Sequence, residues 1–229
     1  MTRAVLFDLY GTLVEADWVM LRAGRDAIAD RLGVPRSAAR AAWTATHAAR
    51  MRGEHGSLAG DLAAVRAAAG ARDSPDSRLL SELAAFERAN WCSAVRLHDD
   101  VIPMLLRLRH AGARLAIVTN ASAEAAGVIP ALGIDALVDV VVPSCNAGVL
   151  KPDLLYLALR DLGVSEVEVL LVDDEPQQVA AARRLGMSAV LVDRDAGSRA
   201  MPDAPGGAVI TDLTQLADLL LSAETAPLR

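Results

Sequence analysis

Aromatic side chains make up only 3% of this 229-residue chain, and cysteine occurs twice. A surface that stacks bases needs exposed rings, so this shortage argues against a nucleic-acid-binding protein. A broad basic field is missing too: 23 Lys and Arg stand against 29 Asp and Glu, a net charge of -6, which is the wrong sign for a polyanion. A local basic pocket for a small anion is still compatible with that balance. No apolar run is long enough to cross a bilayer, so no membrane segment is expected. Cys92 and Cys145 could form one disulfide, but no secretory signal precedes the first strand-like run, so two reduced thiols in a cytoplasmic protein are expected.

What the chain has in quantity is Ala and aliphatic residues: hydrophobic residues reach 53%, and the length suffices for one large or two small domains with a substantial core. Short β-branched runs read as buried strands at 4–8, 114–119, 137–143, 167–173 and 189–193, with 208–211 a candidate sixth. Helical patterns lie between the later ones, at 102–110, 153–162 and 176–185, each with Gly just past its end. Pro103, Pro152 and Pro176 fall near helix starts, where a missing N–H costs little. Strand and helix in alternation predict an α/β core of Rossmann-like type, a parallel sheet covered on both faces. Right-handed crossovers then gather the strand ends on one edge, where such folds bind ligands.

The segment from Glu15 to Leu97 carries no convincing strand. Its helical stretches at 19–32, 37–50, 58–69 and 78–91 predict a helical insertion, giving a core of residues 1–14 and 98–229 and an inserted domain of 15–97. Trp18, Trp43 and Trp91 are expected in that domain's core, Trp18 near an entrance. His47 and His55, with Arg50 and Arg52, could line one side of a pocket but read better as a solvated basic face; Arg22 and Arg25 could contact a substrate, though no spacing demands it. Residues 196–207 read as a Gly/Pro-rich loop, and Asp212 as the cap of a last helix, 213–221, ahead of a frayed tail.

Chemistry concentrates at the strand ends. Val5-Leu6-Phe7 runs straight into Asp8, and Gly11 permits a tight turn two residues beyond Leu9. A carboxylate so placed can act as a nucleophile. Thr119-Asn120 ends the next apolar run, Lys151 sits in Leu150-Lys151-Pro152-Asp153 ahead of a helix, and Asp173-Asp174-Glu175 follows Leu170-Leu171-Val172. Asp174 reads equally as a ligand or as the N-cap of the helix starting at Pro176, and Glu175 as first-turn charge against the helix dipole.

These four stretches, in this order, resemble the motifs of the haloacid dehalogenase superfamily: Asp8-Leu9-Tyr10-Gly11-Thr12, Thr119-Asn120, Lys151-Pro152-Asp153 and Asp173-Asp174. The resemblance covers nearly all the α/β core and implies that 15–97 is a helical cap. It implies that Asp8 attacks the substrate, that Lys151 and Thr119 stabilise its charge, and that Tyr10, Gly11 and Asn120 contact it. It also implies Mg²⁺ held by Asp8, the Tyr10 carbonyl and Asp173 or Asp174. Three carboxylates beside an anionic substrate need a cation, and a hard, oxygen-liganded one suits them.

Two departures qualify the pattern. Most phosphatases of this superfamily carry Asp where Tyr10 stands, and a phenol is a poor acid–base group at neutral pH. Tyr there resembles the 2-haloacid dehalogenases, which need no metal; the acidic Asp173-Asp174 pair, where those enzymes carry a Ser-Ser-Asn-like stretch, points the other way. Nor do Arg36 and Arg40 match the cap Arg of those enzymes. Gln178 stands where many relatives with an Asp-Asp pair carry Asn, and Tyr156 matches no family residue. The expectation is a Mg²⁺-dependent hydrolase of a small phosphorylated metabolite working through an aspartyl phosphate, as monomer or homodimer, without nucleic-acid or membrane partners. The alternatives are a metal-independent dehalogenase-like hydrolase and a non-catalytic protein of the same fold.

Overall fold

The computed structural model describes residues 2–73, 75–195 and 208–216. In chain order they form β1 (Ala4–Phe7), β2 (Val14–Ala16), α1 (Trp18–Arg31), α2 (Arg36–Ala45), α3 (His47–Met51), α4 (Leu58–Ala68) and α5 (Ser77–Ala94). There follow β3 (Val95–Leu97), α6 (Val101–His110), β4 (Arg114–Thr119), α7 (Ala125–Ala131), β5 (Val140–Pro143), α8 (Ser144–Ala147) and α9 (Asp153–Leu162). The chain then runs through β6 (Val169–Asp173), α10 (Pro176–Arg184), β7 (Ser188–Val192) and β8 (Val209–Ile210).

Strands β5-β4-β1-β6-β7-β8 make one parallel sheet in that order, the α/β architecture the alternation predicts. Successive strand residues point to opposite faces. Val5 and Phe7 of β1, Leu115 and Ile117 of β4, and Leu170 and Val172 of β6 pack on one face with Met104, Leu105 and Leu108 of α6. Ala4, Leu6, Ala116, Val118 and Leu171 fill the other face with Leu154, Leu155, Ala158, Leu159 and Leu162 of α9. With both faces covered, the central strands read as unbroken apolar runs. Helix α9 stops at Gly163, whose φ of +65° is the left-handed conformation a Cβ disfavours.

Helices α1 to α5 form a separate cluster around Ile28, Leu32, Trp43, Leu58, Leu62, Val65 and Leu83. Here the structure departs from the sequence reading in three ways. Residues 14–16 and 95–97 pair as a two-stranded antiparallel ribbon, β2 with β3, at the base of the helices. Three-residue strands leave too short a period to detect. The stretch 37–50 is two helices, not one, because the chain breaks at Thr46, whose Oγ1 accepts no cap but donates back to the Ala42 carbonyl at 2.8 Å. Trp18 is no core residue: it is 59% exposed, whereas Trp43 and Trp91 are buried.

Smaller differences lie in the core. The run read as a strand from 137 begins pairing only at Val140, and α7 lies where no element was expected. The predicted loop 196–207 and most of the last helix lie outside the described residues; Asp212 accepts the Thr214 N–H at 2.7 Å, as a capping residue would. Among the described residues no helix is long and apolar enough to cross a membrane.

Candidate active site

Strand register brings the first and last motifs together. Phe7 of β1 pairs with Val172 of β6 and with Ile117 of β4, so Asp8 emerges beside Asp173 and one step short of Thr119. The Asp8 N–H donates to the Val172 carbonyl at 2.9 Å, which holds the carboxylate at the sheet edge. Asp8, Thr119, Lys151 and Asp173 are all buried.

Lys151 ties the two carboxylates. Its Nζ lies 2.6 Å from Asp8 Oδ1 and 2.7 Å from Asp173 Oδ2. Its position is set from β4, because Asn120 Oδ1 accepts the Lys151 backbone N–H at 3.0 Å. Burial pushes the carboxyl of Asp8 up and the Lys151 ammonium pulls it back. Burial alone would lower Lys151, but Asp8 and Asp173 outweigh it and hold the ammonium well above its ordinary range. Burial raises Asp173 to about 6 against the pull of Lys151.

This geometry bears on two expectations. The cation that the clustered carboxylates require is already present in part, as Lys151, so a divalent ion is not the sole means of tolerating them. And Asp173, expected among the metal ligands, has both oxygens engaged: Oδ2 by Lys151 and Oδ1 by the Glu175 N–H at 2.9 Å. Asp174 differs. No ion pair reaches it among the described residues, and burial plus the Asp173 charge raise it to about 6. Its carboxylate lies over Gly11, so close that a Cβ there would stand 2.2 Å from Asp174 Oδ2. Gly11, at φ +81°, is therefore demanded both by the backbone and by that approach.

The residues present fit a hard divalent ion in one way. Asp8 keeps Oδ2, Asp174 keeps its carboxylate, and the turn at Tyr10 is bridged through the Leu9 carbonyl and the Gly11 N–H, leaving the Tyr10 carbonyl without a backbone donor among the described residues. Among the described residues no group of three or more His, Cys, Asp or Glu side chains could hold a metal, but Mg²⁺ needs only one or two carboxylates, a carbonyl and water. Among the described residues the buried hydroxyls of Thr119 and Tyr10 have no hydrogen-bond partner. Buried polar groups left so are costly, and a bound oxyanion would satisfy them.

Beyond the strand ends lies a cavity of about 760 Å³ between sheet and helices, with Tyr10, Gly11, Asn120 and Asp174 on its floor. Its other walls hold residues that sequence reasoning left as bland. The chain has three Trp, two Tyr and two Phe, yet Tyr10, Trp18 and Trp91 all line this one space. Tyr10 and Trp18 each stand edge-on to Trp91, at 5.4 and 6.0 Å. Burial, then Glu124 and Asp8, push the Tyr10 phenol well above its ordinary value, so it is a donor and not a base. Arg25, His47, Arg50 and Glu124 also face the cavity. Arg50 is buried rather than solvated, while Arg22 is exposed and His55 pairs with Asp61 at 2.9 Å. No spacing in the sequence marks Arg50 or Glu124; Arg50 follows the break at Thr46, and its Nε reaches Thr46 Oγ1 at 3.3 Å. Arg36 and Arg40 are occupied by Asp30 and Asp26 on the surface, so neither serves as a substrate-binding Arg.

Comparison with known proteins agrees with this arrangement. Residues 2–186 match the family model described as haloacid dehalogenase-like hydrolase. The chain is 33% identical over 137 residues to Phosphatase MT3486 of Mycobacterium tuberculosis, a match that covers 58% of this chain and only 60% of that protein. A HAD phosphatase from Thermococcus onnurineus has the same fold, at 25% identity and a TM-score of 0.65, with 96% of this chain and 98% of the other covered. So does a 2-haloacid dehalogenase from Pseudomonas syringae pv. Tomato DC3000, at 23% identity and a TM-score of 0.75, over 97% and 100% of the two chains. The chain belongs to the haloacid dehalogenase-like hydrolase family, and it is a hydrolase by that membership.

Proposed function

We propose that the protein is a Mg²⁺-assisted phosphohydrolase acting on a small anionic phosphate ester or anhydride, with residues 15–97 as a cap over the site. The observation that carries this reading is the Lys151 bridge, which sets a cation against Asp8 Oδ1 and Asp173 Oδ2 at the strand ends. The Asp8 carboxylate attacks phosphorus in line through the oxygen turned to the substrate, the bond to the leaving oxygen breaks, and an aspartyl phosphate forms. Water then attacks that phosphorus, the acyl oxygen departs as the Asp8 carboxylate, and inorganic phosphate is released. Lys151 offsets charge on the nucleophile and on the transferring group. The unpartnered Thr119 hydroxyl is positioned to donate to a phosphoryl oxygen. Mg²⁺, held by Asp8, Asp174 and the Tyr10 carbonyl, would supply electrostatic neutralisation of the phosphoryl oxygens.

Tyr10 constrains the leaving group. With its phenol raised, no acid of suitable pKa stands two residues after the nucleophile, so departure must succeed without strong protonation. Acyl, enol and aryl phosphates meet that condition and unactivated alkyl phosphates do not. The same residue favours a second reading, in which Asp8 displaces halide from carbon; the engaged Arg36 and Arg40 and the unpaired Asp174 weigh against it.

The test is a panel of acetyl phosphate, p-nitrophenyl phosphate and 2-chloropropionate, each with Mg²⁺ or with EDTA, and Asp8→Asn as control. Phosphate release that needs Mg²⁺ and Asp8, and that falls steeply as the leaving group becomes more basic, is expected. Halide release in EDTA would install the dehalogenase reading. Full turnover by Asp8→Asn would remove the nucleophile.

A further inference from the structure

Arg50 is 3% exposed, lines the cavity, and has no carboxylate within ion-pairing distance among the described residues. Its hydrogen bonds go to neutral oxygens only: Nε to Thr46 Oγ1 at 3.3 Å, Nη1 to Ser122 Oγ at 3.4 Å and Nη2 to the Trp43 carbonyl at 3.0 Å. A guanidinium carries five N–H donors, so some remain unused. A charge taken out of water without an ion-paired partner is costly, and an anion it can meet offsets that cost. The nearest acid in the hydrogen-bond chain, Glu124, is reached only through Ser122, whose hydroxyl donates to it.

Arg25 repeats the pattern from another helix. It faces the same cavity, its Nε reaches Glu87 at 3.3 Å, and neither Nη has a hydrogen-bond partner among the described residues. Its guanidinium stands 4.4 Å from the centre of the Trp43 ring, and that of Arg50 stands 4.5 Å from it. One indole thus orients both forks. Two like charges held against one ring repel: Arg25 lowers Arg50 after burial itself, while Glu124, Asp61 and Glu87 pull the other way without reaching it by an ion pair among the described residues. An anion before the two forks offsets both the burial and the repulsion. Glu87 Oε1 takes Arg25 and the Trp91 indole N–H, the latter at 3.0 Å, and its Oε2 has no hydrogen-bond partner among the described residues, so Glu87 gives Arg50 no direct bond.

We propose that this cap-side wall is a second anion subsite, in which Arg50 and Arg25 grip a carboxylate or phosphate carried by the leaving group of the substrate. The cavity is then bipolar. Its floor takes the phosphoryl group at Asp8, and its roof takes an oxyanion at the far end of the same molecule, with Tyr10 and Trp91 flanking what joins them. The subsite excludes neutral phosphate esters by leaving Arg50 buried and unsatisfied. It rests on the phosphohydrolase reading only for what fills the floor.

Two arms test it. In the first, the full-length enzyme with Mg²⁺ hydrolyses phenyl phosphate, 4-carboxyphenyl phosphate and 4-phosphonophenyl phosphate. One of the charged esters is expected to exceed phenyl phosphate at least tenfold in kcat/KM, mostly through KM, and which one does so distinguishes carboxylate from phosphate. Arg25→Gln, at a partly exposed position, should collapse that ratio toward one; Arg50→Lys should reduce it through loss of the fork. The second arm needs no turnover. Calorimetry on Asp8→Asn with 3-phosphonopropionate and ethylphosphonate should give at least tenfold tighter binding of the former, lost on adding Arg25→Gln. Phosphate release with a ratio near one in the wild type would overturn the subsite and leave the phosphohydrolase standing. No release from any ester, with the calorimetric preference intact, would do the reverse.

Discussion

Lys151 Nζ stands 2.6 Å from Asp8 Oδ1 where both residues are buried. Replacing the lysine therefore strands a carboxylate rather than merely removing a bond. Lys151→Met should cost about 3–5 kcal/mol of stability, because Asp8 and Asp173 lose their shared counter-charge. It should also lower kcat/KM by at least about 100-fold. With the ammonium gone, burial alone acts on Asp8 and its pKa rises further. Attack requires the ionised form, so the acid limb of the pH profile should move to higher pH. A limb that stays in place would show that Lys151 does not set the charge of Asp8.

Asp174 is raised to about 6 from the usual carboxylate range near 3.8. The folded state therefore binds a proton more readily than the unfolded one between those values. This group's cost to stability is absent below about pH 4 and grows as pH rises through about 6. Asp174→Asn should thus stabilise the metal-free protein at pH 7.5, on the order of 1 kcal/mol after solvent screening, and do little at pH 4. Mg²⁺ should raise the wild-type melting temperature more at pH 7.5 than at pH 5, since the ligand is then ionised. Thermal melts of both proteins at the two pH values, with and without Mg²⁺, check the pair; an Asp174→Asn variant that keeps the full Mg²⁺ shift would remove Asp174 as a ligand.

Gly11→Ala introduces a Cβ that would stand 2.2 Å from Asp174 Oδ2, on a backbone at φ +81°. Strain of about 1–3 kcal/mol is expected, together with displacement of Asp174. Mg²⁺ affinity, read by titrating activity, should weaken at least about tenfold for that displacement. Serine at this position should behave like alanine, since the obstruction lies at Cβ; an unaltered Mg²⁺ midpoint in both variants would count against the assigned geometry.

Arg194 fastens distant parts of the chain. It donates to the Thr12 carbonyl at 2.7 Å and 3.2 Å and to Asp100 Oδ2 at 2.6 Å, the oxygen that also takes the Leu213 N–H. Asp100 and Thr12 are buried. Arg194→Ala should destabilise by about 3–5 kcal/mol in urea unfolding. In a double-mutant cycle with Asp100→Asn, the two changes should be less than additive. Strict additivity would mean that the pair does not interact.

The sheet and its edge were legible because buried parallel strands announce themselves. The stretches 4–7, 115–118 and 169–172 are apolar throughout, and each stops at a polar group, Asp8, Thr119 and Asp173. Residues 153–162 and 114–119 have in the structure the bounds the pattern gives them. The helical side was illegible for equally physical reasons. A buried arginine looks the same in sequence as a solvated one, and only its tertiary contacts, with Trp43 and Ser122 for Arg50, show which it is. Arg36 and Arg40, nearer in sequence to where a substrate-binding Arg was sought, are held outward by acids on α1 that no local pattern reveals. Asp173 and Asp174 are adjacent and chemically identical; the strand register, which sequence does not print, gives one to Lys151 and leaves the other to the cavity.

The ribbon of β2 and β3 carries an evolutionary and engineering consequence. The chain leaves the sheet at Val14–Ala16 and returns at Val95–Leu97, and the two passages bond to each other, Glu15 opposite Arg96. Flanking bonds from Asp17 to Ala94 and from His98 to Leu13 extend the match. A residue inserted in either passage alone shifts one side of that ladder and turns its side chains to the wrong face. The ladder does not fix the lengths of the helices between the passages, whereas the lengths of the two passages must change together.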